Sequence, residues 1–158
     1  MTTISAAQVK ELREKTGLGL MDCKKALEGA DGDIELAIEE LRKTSGIKAS
    51  KKSGRSAADG LVAITSKDTN YFMIEINCET DFVARDDSYI AFTNETLDAY
   101  SNNPKYSLEE LLENGVEGNR EKLVQKLGEN IVVRRISKTK ESSITGSYLH
   151  SNQKIGCI

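Results

Sequence analysis

The hydrophobic period of this chain changes at Thr80, and that change limits what the chain can fold into more than any other feature. Before it, Phe72, Ile74 and Ile76 alternate with Tyr71, Met73 and Glu75, the two-residue period of a strand with one buried face. Thr80 is a good helix N-cap, and Asp81, Asp86 and Asp87 place negative charge in the first turns, where the helix dipole favours it. Val83, Ile90 and Leu97 then recur at heptad spacing with Ala84 and Ala91 beside them, so the pattern predicts one helix from about Asp81 to Tyr100. Phe82 lies about 100° around that helix from the stripe, at its tip and directly after an acid. Tyr89 and Tyr100 fall on nearly the same side, so a wide apolar face would include Phe82 in the core. That is the reading the residue pattern favours, although an aromatic beside a carboxylate at a helix tip can also reach into a partner. The pattern leaves both readings open.

The flanking segments supply the partners that a strand and a helix need. Leu61–Ser66 reads as a strand joined to Tyr71–Asn77 through the polar hairpin loop Lys67-Asp68-Thr69-Asn70. After the breaker Ser101-Asn102-Asn103-Pro104, Ser107 and Glu110 form a capping box that opens a short helix with Leu108, Leu111 and Leu112 inward. Asn119 is placed to cap a further helix, with Leu123, Val124 and Leu127 on one side and Gly128 ending it; Ile131–Ile136 is a third strand. The order β-β-α-α-α-β over residues 59–140 predicts an α+β unit, a small antiparallel sheet with helices packed on one face.

Residues 1–45 read as three short helices. Ser5 and Gln8 make a capping box, Ile4 is set to staple against Val9, and Gly17 stops the first helix. The second spans about Leu20 to Glu28. The third follows Asp33 with Ile34, Ala37, Ile38 and Leu41 at i, i+3, i+4 and i+7. So small a bundle is marginal alone and looks like a docking module. Residues 46–58 read as a flexible basic linker, since Arg42 to Arg55 holds six cations, no acid, and interleaved Ser and Gly. Residues 141–158 carry two more strand-like pieces, Ser147–His150 and Lys154–Ile158. The chain stops inside the second, which reads as the first strands of an incomplete further subdomain.

Composition excludes several classes. A net charge of −3 lacks the basic surplus of a nucleic-acid binder. No apolar run approaches a membrane span, and the first twenty residues hold no apolar signal core. Cys23, Cys78 and Cys157 are odd in number and far apart, with no CxxC, which fits a reducing cytoplasm. His150 is the single histidine, so no His-based metal cluster is expected, nor any cofactor.

Three stretches carry a family resemblance. Thr16-Gly17-Leu18-Gly19-Leu20-Met21-Asp22-Cys23-Lys24-Lys25-Ala26-Leu27, followed by Gly32-Asp33-Ile34-Glu35-Leu36-Ala37-Ile38, resembles the opening domain of the bacterial elongation factor Ts family. Cys78-Glu79-Thr80-Asp81-Phe82-Val83-Ala84-Arg85 is the second match, and Tyr148-Leu149-His150 before Ile155-Gly156 the third, in the family's order and separations. The resemblance implies a guanine-nucleotide exchange factor for elongation factor Tu. It implies that the opening domain is a ubiquitin-associated-like three-helix module docking on the partner's nucleotide-binding domain, with Leu18, Leu20, Met21 and Lys24 as contacts. It implies too that the helix tip at Thr80 is inserted near the magnesium and nucleotide, with Asp81 and Phe82 as the intruding pair, Val83 and Arg85 beside them, and His150 a further contact. Phe82 thereby becomes a wedge, on the resemblance and not on periodicity. Position 20 is Leu where members often have Met, a mild change in volume. A family-type homodimer is weakened if the second half of the core is incomplete.

Two rivals differ in class. An enzyme would need a nucleophile–base pair, and the carboxylates Glu79, Asp81, Asp86 and Asp87 have none beside them in the sequence. An adaptor binding other proteins through the N-terminal module leaves the Thr80–Arg85 match unexplained.

Overall fold

Ser5 starts the first helix, α1 (Ala6–Thr16), with the expected reciprocal cap: its Oγ accepts from the Gln8 amide at 3.2 Å while Gln8 Oε1 accepts from the Ser5 amide at 3.0 Å. The structure, a computed structural model, describes residues 4–140 and 144–158. Glu141, Ser142 and Ser143, at the start of the predicted tail segment, lie outside the described residues. Gly17 ends α1 in the left-handed region at φ 69°, and Gly19 precedes α2 (Leu20–Gly29). Asp33 caps α3 (Ile34–Lys52), its carboxylate accepting from the Leu36 amide at 3.0 Å. Val9, Leu12, Leu18, Cys23, Leu27, Ala37 and Leu41 form the core of this three-helix unit, with Ile4 packed at its margin.

The basic segment is not a flexible linker. Helix α3 runs through it as far as Lys52. Its alanine and serine positions explain why: Ala49 and Ser45 are buried against the rest of the molecule, so tertiary packing adds to a stretch already rich in helix-forming Lys. Only residues 53–58 connect the helix to the sheet.

The sheet has the order β1 (Asp59–Lys67), β2 (Asn70–Cys78) and β3 (Val132–Lys138), all antiparallel, with β2 central. The predicted strands extend by a few residues, and the loop tightens because Lys67 already pairs with Asn70, leaving Asp68 and Thr69 as the turn. Ile76 opposes Leu61, Ile74 opposes Ala63 and Phe72 opposes Thr65. A bulge shifts the β2–β3 register, so that Ile76 faces Val133 and Ile74 faces Ile136. Val133 and Ile136 are three positions apart rather than two, and only that extra residue lets both side chains reach the same face. Gly60 sits at φ 144° where an added Cβ would lie 2.1 Å from the Ile76 carbonyl oxygen, so no other residue fits there.

The helices cover one face of the sheet. They are α4 (Asp81–Ala84), α5 (Asp87–Asn102), α6 (Leu108–Leu111) and α7 (Glu117–Leu127), the last two joined through a kink in Leu112–Val116, where Asn114 and Gly115 (φ 110°) leave the helical region. Asn119 lies inside α7 rather than at its cap, because the backbone returns to helical geometry directly after Gly115, with Val116 already αR. The second core gathers Phe72, Ile74, Ile76, Tyr89, Phe92, Leu97, Tyr100, Val124 and Val133. At its centre the Phe72 and Tyr100 rings meet edge to face at 5.5 Å. Finally β4 (Tyr148–Leu149) and β5 (Gly156–Cys157) form a short hairpin whose Gln153 carbonyl accepts from the Val62 amide at 2.7 Å. That bond occupies part of the open edge of β1. Among the described residues no helix is long and apolar enough to cross a membrane.

Candidate functional site

The single helix predicted from Asp81 to Tyr100 is two helices. Arg85 ends α4, and Asp86 leaves the helical region (φ −70°, ψ 133°) to cap α5, accepting from the Ser88 amide at 2.8 Å. The break resets the helical phase. Tyr89, Phe92, Thr93, Thr96, Leu97 and Tyr100 point into the core, while Ile90 is half-buried and Ala91 exposed. The heptad stripe is therefore only partly the buried face. Tyr89 and Tyr100, which pattern placed beside Phe82, are sealed inside, and Phe82 is 81% exposed.

Burial of its neighbours and a set of hydrogen bonds at the entry to α4 hold Phe82 out. Val83 and Ala84 are buried against the sheet, which on a one-turn helix turns residue 82 away from it. Thr80 Oγ1 accepts from the Val83 amide at 3.4 Å and donates to Glu129 Oε1 at 2.6 Å. Glu129 Oε2 also accepts from the Glu79 and Thr80 amides, both at 3.0 Å. In return Glu79 Oε1 accepts from the Asn130 amide at 2.6 Å and from Arg55 Nη1 at 3.5 Å. Two carboxylates thus cross-tie the entry to α4 and the loop after α7. Below the tip, Tyr89 donates from its hydroxyl to the Ile76 carbonyl at 2.6 Å, and Cys78 Sγ donates to the Thr80 carbonyl at 3.2 Å. Burial pushes the Cys78 thiol up to about 11 and the Tyr89 phenol up as well, so both stay neutral donors. Sequence reading missed Glu129; its one signal is an acid in the short Gly128-Glu129-Asn130 turn before a strand.

The other candidate residues divide by exposure. Asp81 forms an exposed pair with Arg85 at 2.9 Å, a contact of little energetic weight. On the three-helix module, Leu20 and Met21 are 54% and 60% exposed, and Lys24 pairs with Glu28 at 3.7 Å on the same helix. Leu20 and Lys24 border an apolar hollow floored by Ile4 and Val9. Leu18 and Val83 are corrections. At 3% and 9% exposed they are core residues that shape the surfaces beside them and offer no side chain to a partner. His150 is exposed on the β4–β5 hairpin, its Nδ1 2.8 Å from the Tyr148 hydroxyl. The hairpin and the α4 tip converge near Asp59. The Lys154 ammonium bonded to that carboxylate holds it below the usual range, and the Arg85 charge adds to the effect. Among the described residues no cluster of three His, Cys, Asp or Glu could hold a metal ion.

Comparison with known proteins decides the family. Residues 79–158 match the family described as Elongation factor TS. The whole chain is 53% identical to the Elongation factor Ts of Marinobacter nauticus and 51% identical to that of Hahella chejuensis, covering 55% and 56% of those proteins. It is 48% identical to the Elongation factor Ts of Arthrospira platensis, covering 67% of it.

The chain belongs to the elongation factor Ts family.

It spans about half the length of the first two relatives. The family match begins at Glu79, one residue before the Thr80 cap, so the braced tip and the hairpin bearing His150 both fall within it. The three-helix module lies outside that match but inside the elongation factor Ts alignments, each of which covers all of this chain.

Proposed function

We propose that this chain is a guanine-nucleotide exchange factor for elongation factor Tu, acting in the cytoplasm during translation and without chemistry of its own. The observation that carries the reading is the exposed ring of Phe82 on a capped, carboxylate-braced turn, within a chain of the elongation factor Ts family. A free aromatic is an unusual use of surface, and a rigid mount means that little ordering cost is left for binding.

Exchange of this kind is a coupling free energy. A factor that weakens GDP binding by some ratio is itself bound more weakly by that ratio when GDP is present. Magnesium at a nucleotide site demands near-ideal octahedral geometry, so a small displacement of the helices around it loses much of its binding. Phe82 supplies the displacement by entering an apolar pocket of the partner, where a central aromatic anchor contributes about 2–4 kcal/mol. Asp81, next to it, brings a carboxylate to the same place. Leu20, Met21 and Lys24 dock the three-helix module on a second surface of the same partner, and His150 adds a contact from the hairpin.

Release of a fluorescent GDP analogue from elongation factor Tu, followed in stopped flow, tests the reading. The chain accelerates release, and excess GDP displaces it from the partner in a pull-down. An unchanged release rate at saturating chain, or a pull-down indifferent to GDP, overturns it. An adaptor that binds other proteins through the three-helix module alone would give that second result.

A further inference from the structure

The three-helix module meets the α+β core where α2, α3 and α7 converge, and the contact at that point is polar. Asp22, one residue after Met21 on α2, accepts from Lys48 Nζ of α3 at 3.0 Å on each carboxylate oxygen. Its Oδ2 also accepts from Gln125 Nε2 of α7 at 3.0 Å. The other end of the Gln125 amide, Oε1, accepts from the hydroxyl of Ser45 on α3, a side chain only 1% exposed. Both ends of one amide are therefore engaged, and its orientation is fixed at the Asp22 end, where turning it over would set the amide oxygen against a carboxylate; the Ser45 hydroxyl, which also reaches the Leu41 carbonyl at 2.8 Å, could serve either end.

Beside this cluster, small residues of α3 approach α7, and Lys52 Nζ of α3 donates to the Gly128 carbonyl at the end of α7. Ala49 is fully buried, and at Gly46 an added Cβ would lie 3.1 Å from Glu121 Oε1. Such a surface sets how closely two helices approach but leaves their rotation and slide weakly specified. Hydrogen bonds are directional and supply what is missing. With Asp22 and Lys48 side chains each 36% exposed, the Coulombic part is screened, and geometry is the main product of the cluster.

We propose that Asp22 and Gln125 are positioning residues for exchange: they fix the angle at which α2 presents Leu20 and Met21 relative to the Phe82 tip, so that both surfaces meet one partner together. The proposal rests on the two-surface reading of function given above. Two rigidly joined surfaces bind as one, because the first contact brings the second to a high effective concentration; a module free to swing loses that advantage. The Asp22 carboxyl is held below its usual range first by the Gln125 hydrogen bond and then by Lys48, in keeping with a closed network.

The test separates orientation from activity. Spin labels at Glu14→Cys on the module and Asn94→Cys on the core, in a chain carrying Cys157→Ser, report one distance by pulsed electron paramagnetic resonance. A narrow distribution is expected for the parent and a broader or displaced one for Asp22→Ala and for Gln125→Ala. The double variant should be no broader than either single one, since all three break one network. Gln125→Glu keeps the volume but sets a carboxylate against Asp22, and should behave like Gln125→Ala. In the fluorescent GDP assay, Gln125→Ala should raise the half-saturating concentration about three- to tenfold and leave the saturated release rate unchanged. Distributions as narrow and as centred as the parent's in both single variants overturn the proposal. So does a lowered saturated rate at unchanged half-saturation. If the parent chain itself releases no GDP, the function reading falls, and the distances alone decide whether the clamp exists.

Discussion

Phe82 and Leu18 are both large apolar residues next to a helix start, and the structure gives them opposite surroundings. Leu18 sits between two glycines and drops into the module core, whereas Phe82 is turned outward by the buried Val83 and Ala84 beside it. Phe82→Ala should therefore leave unfolding in urea within about 0.5 kcal/mol of the parent, while GDP release from the partner slows at least tenfold. Leu18→Ala should cost about 2–4 kcal/mol in the same unfolding measurement. The cysteines give a second residue-scale prediction. Cys157 is exposed and Cys78 is buried with its thiol pushed up to about 11. Alkylation at pH 8 should modify Cys157 first and Cys78 only on unfolding. A thiol whose folded pKa exceeds its unfolded value of 9.0 adds stability below pH 9 that is lost as pH rises toward 11. Burial of the Tyr89 phenol acts in the same sense. Alkaline titration of the unfolding free energy should show the decline.

At the scale of elements, the α4 turn is four residues long and cannot hold itself together, since isolated helices of that length are unstable. Its support comes from Glu129, fifty residues away in the chain, which accepts from the Glu79 and Thr80 amides and the Thr80 hydroxyl. Glu129→Ala should destabilise the chain by about 2 kcal/mol and speed hydrogen exchange at the Glu79 and Thr80 amides, with exchange activity falling alongside. Glu129→Gln keeps one oxygen acceptor and should lie between the two. Equal protection of those amides in Glu129→Ala would show that the turn is held some other way. The Arg85–Asp86 break belongs to the same scale. Asp86 was legible as an acid near a helix start, but its role as a second N-cap appears only once the sheet has claimed Val83 and Ala84.

For the molecule as a whole, α3 joins two hydrophobic cores: Ala37 and Leu41 lie in one, Ala49 in the other. A continuous helix makes them one mechanical unit. Gly46→Pro should break α3 at the junction, at a cost of about 3 kcal/mol, and split a single calorimetric unfolding transition into two. A single transition in that variant would mean that the cores are coupled through α7 and the clamp alone.

Local residue chemistry, which acts over a few positions, was readable without any fold. The Ser5, Thr80 and Ser107 caps, the helix ends at Gly17 and Gly128, the two-residue period of β2 and the α+β class all appear where local rules put them. The outcome at Phe82, the helical state of residues 46–52, the break after Ala84 and the cross-ties from Glu129 and Gln125 depend on residues far apart in the chain. Only tertiary structure decided those, because burial and hydrogen-bond partners are set by what the fold brings alongside, and a periodic pattern carries no record of it.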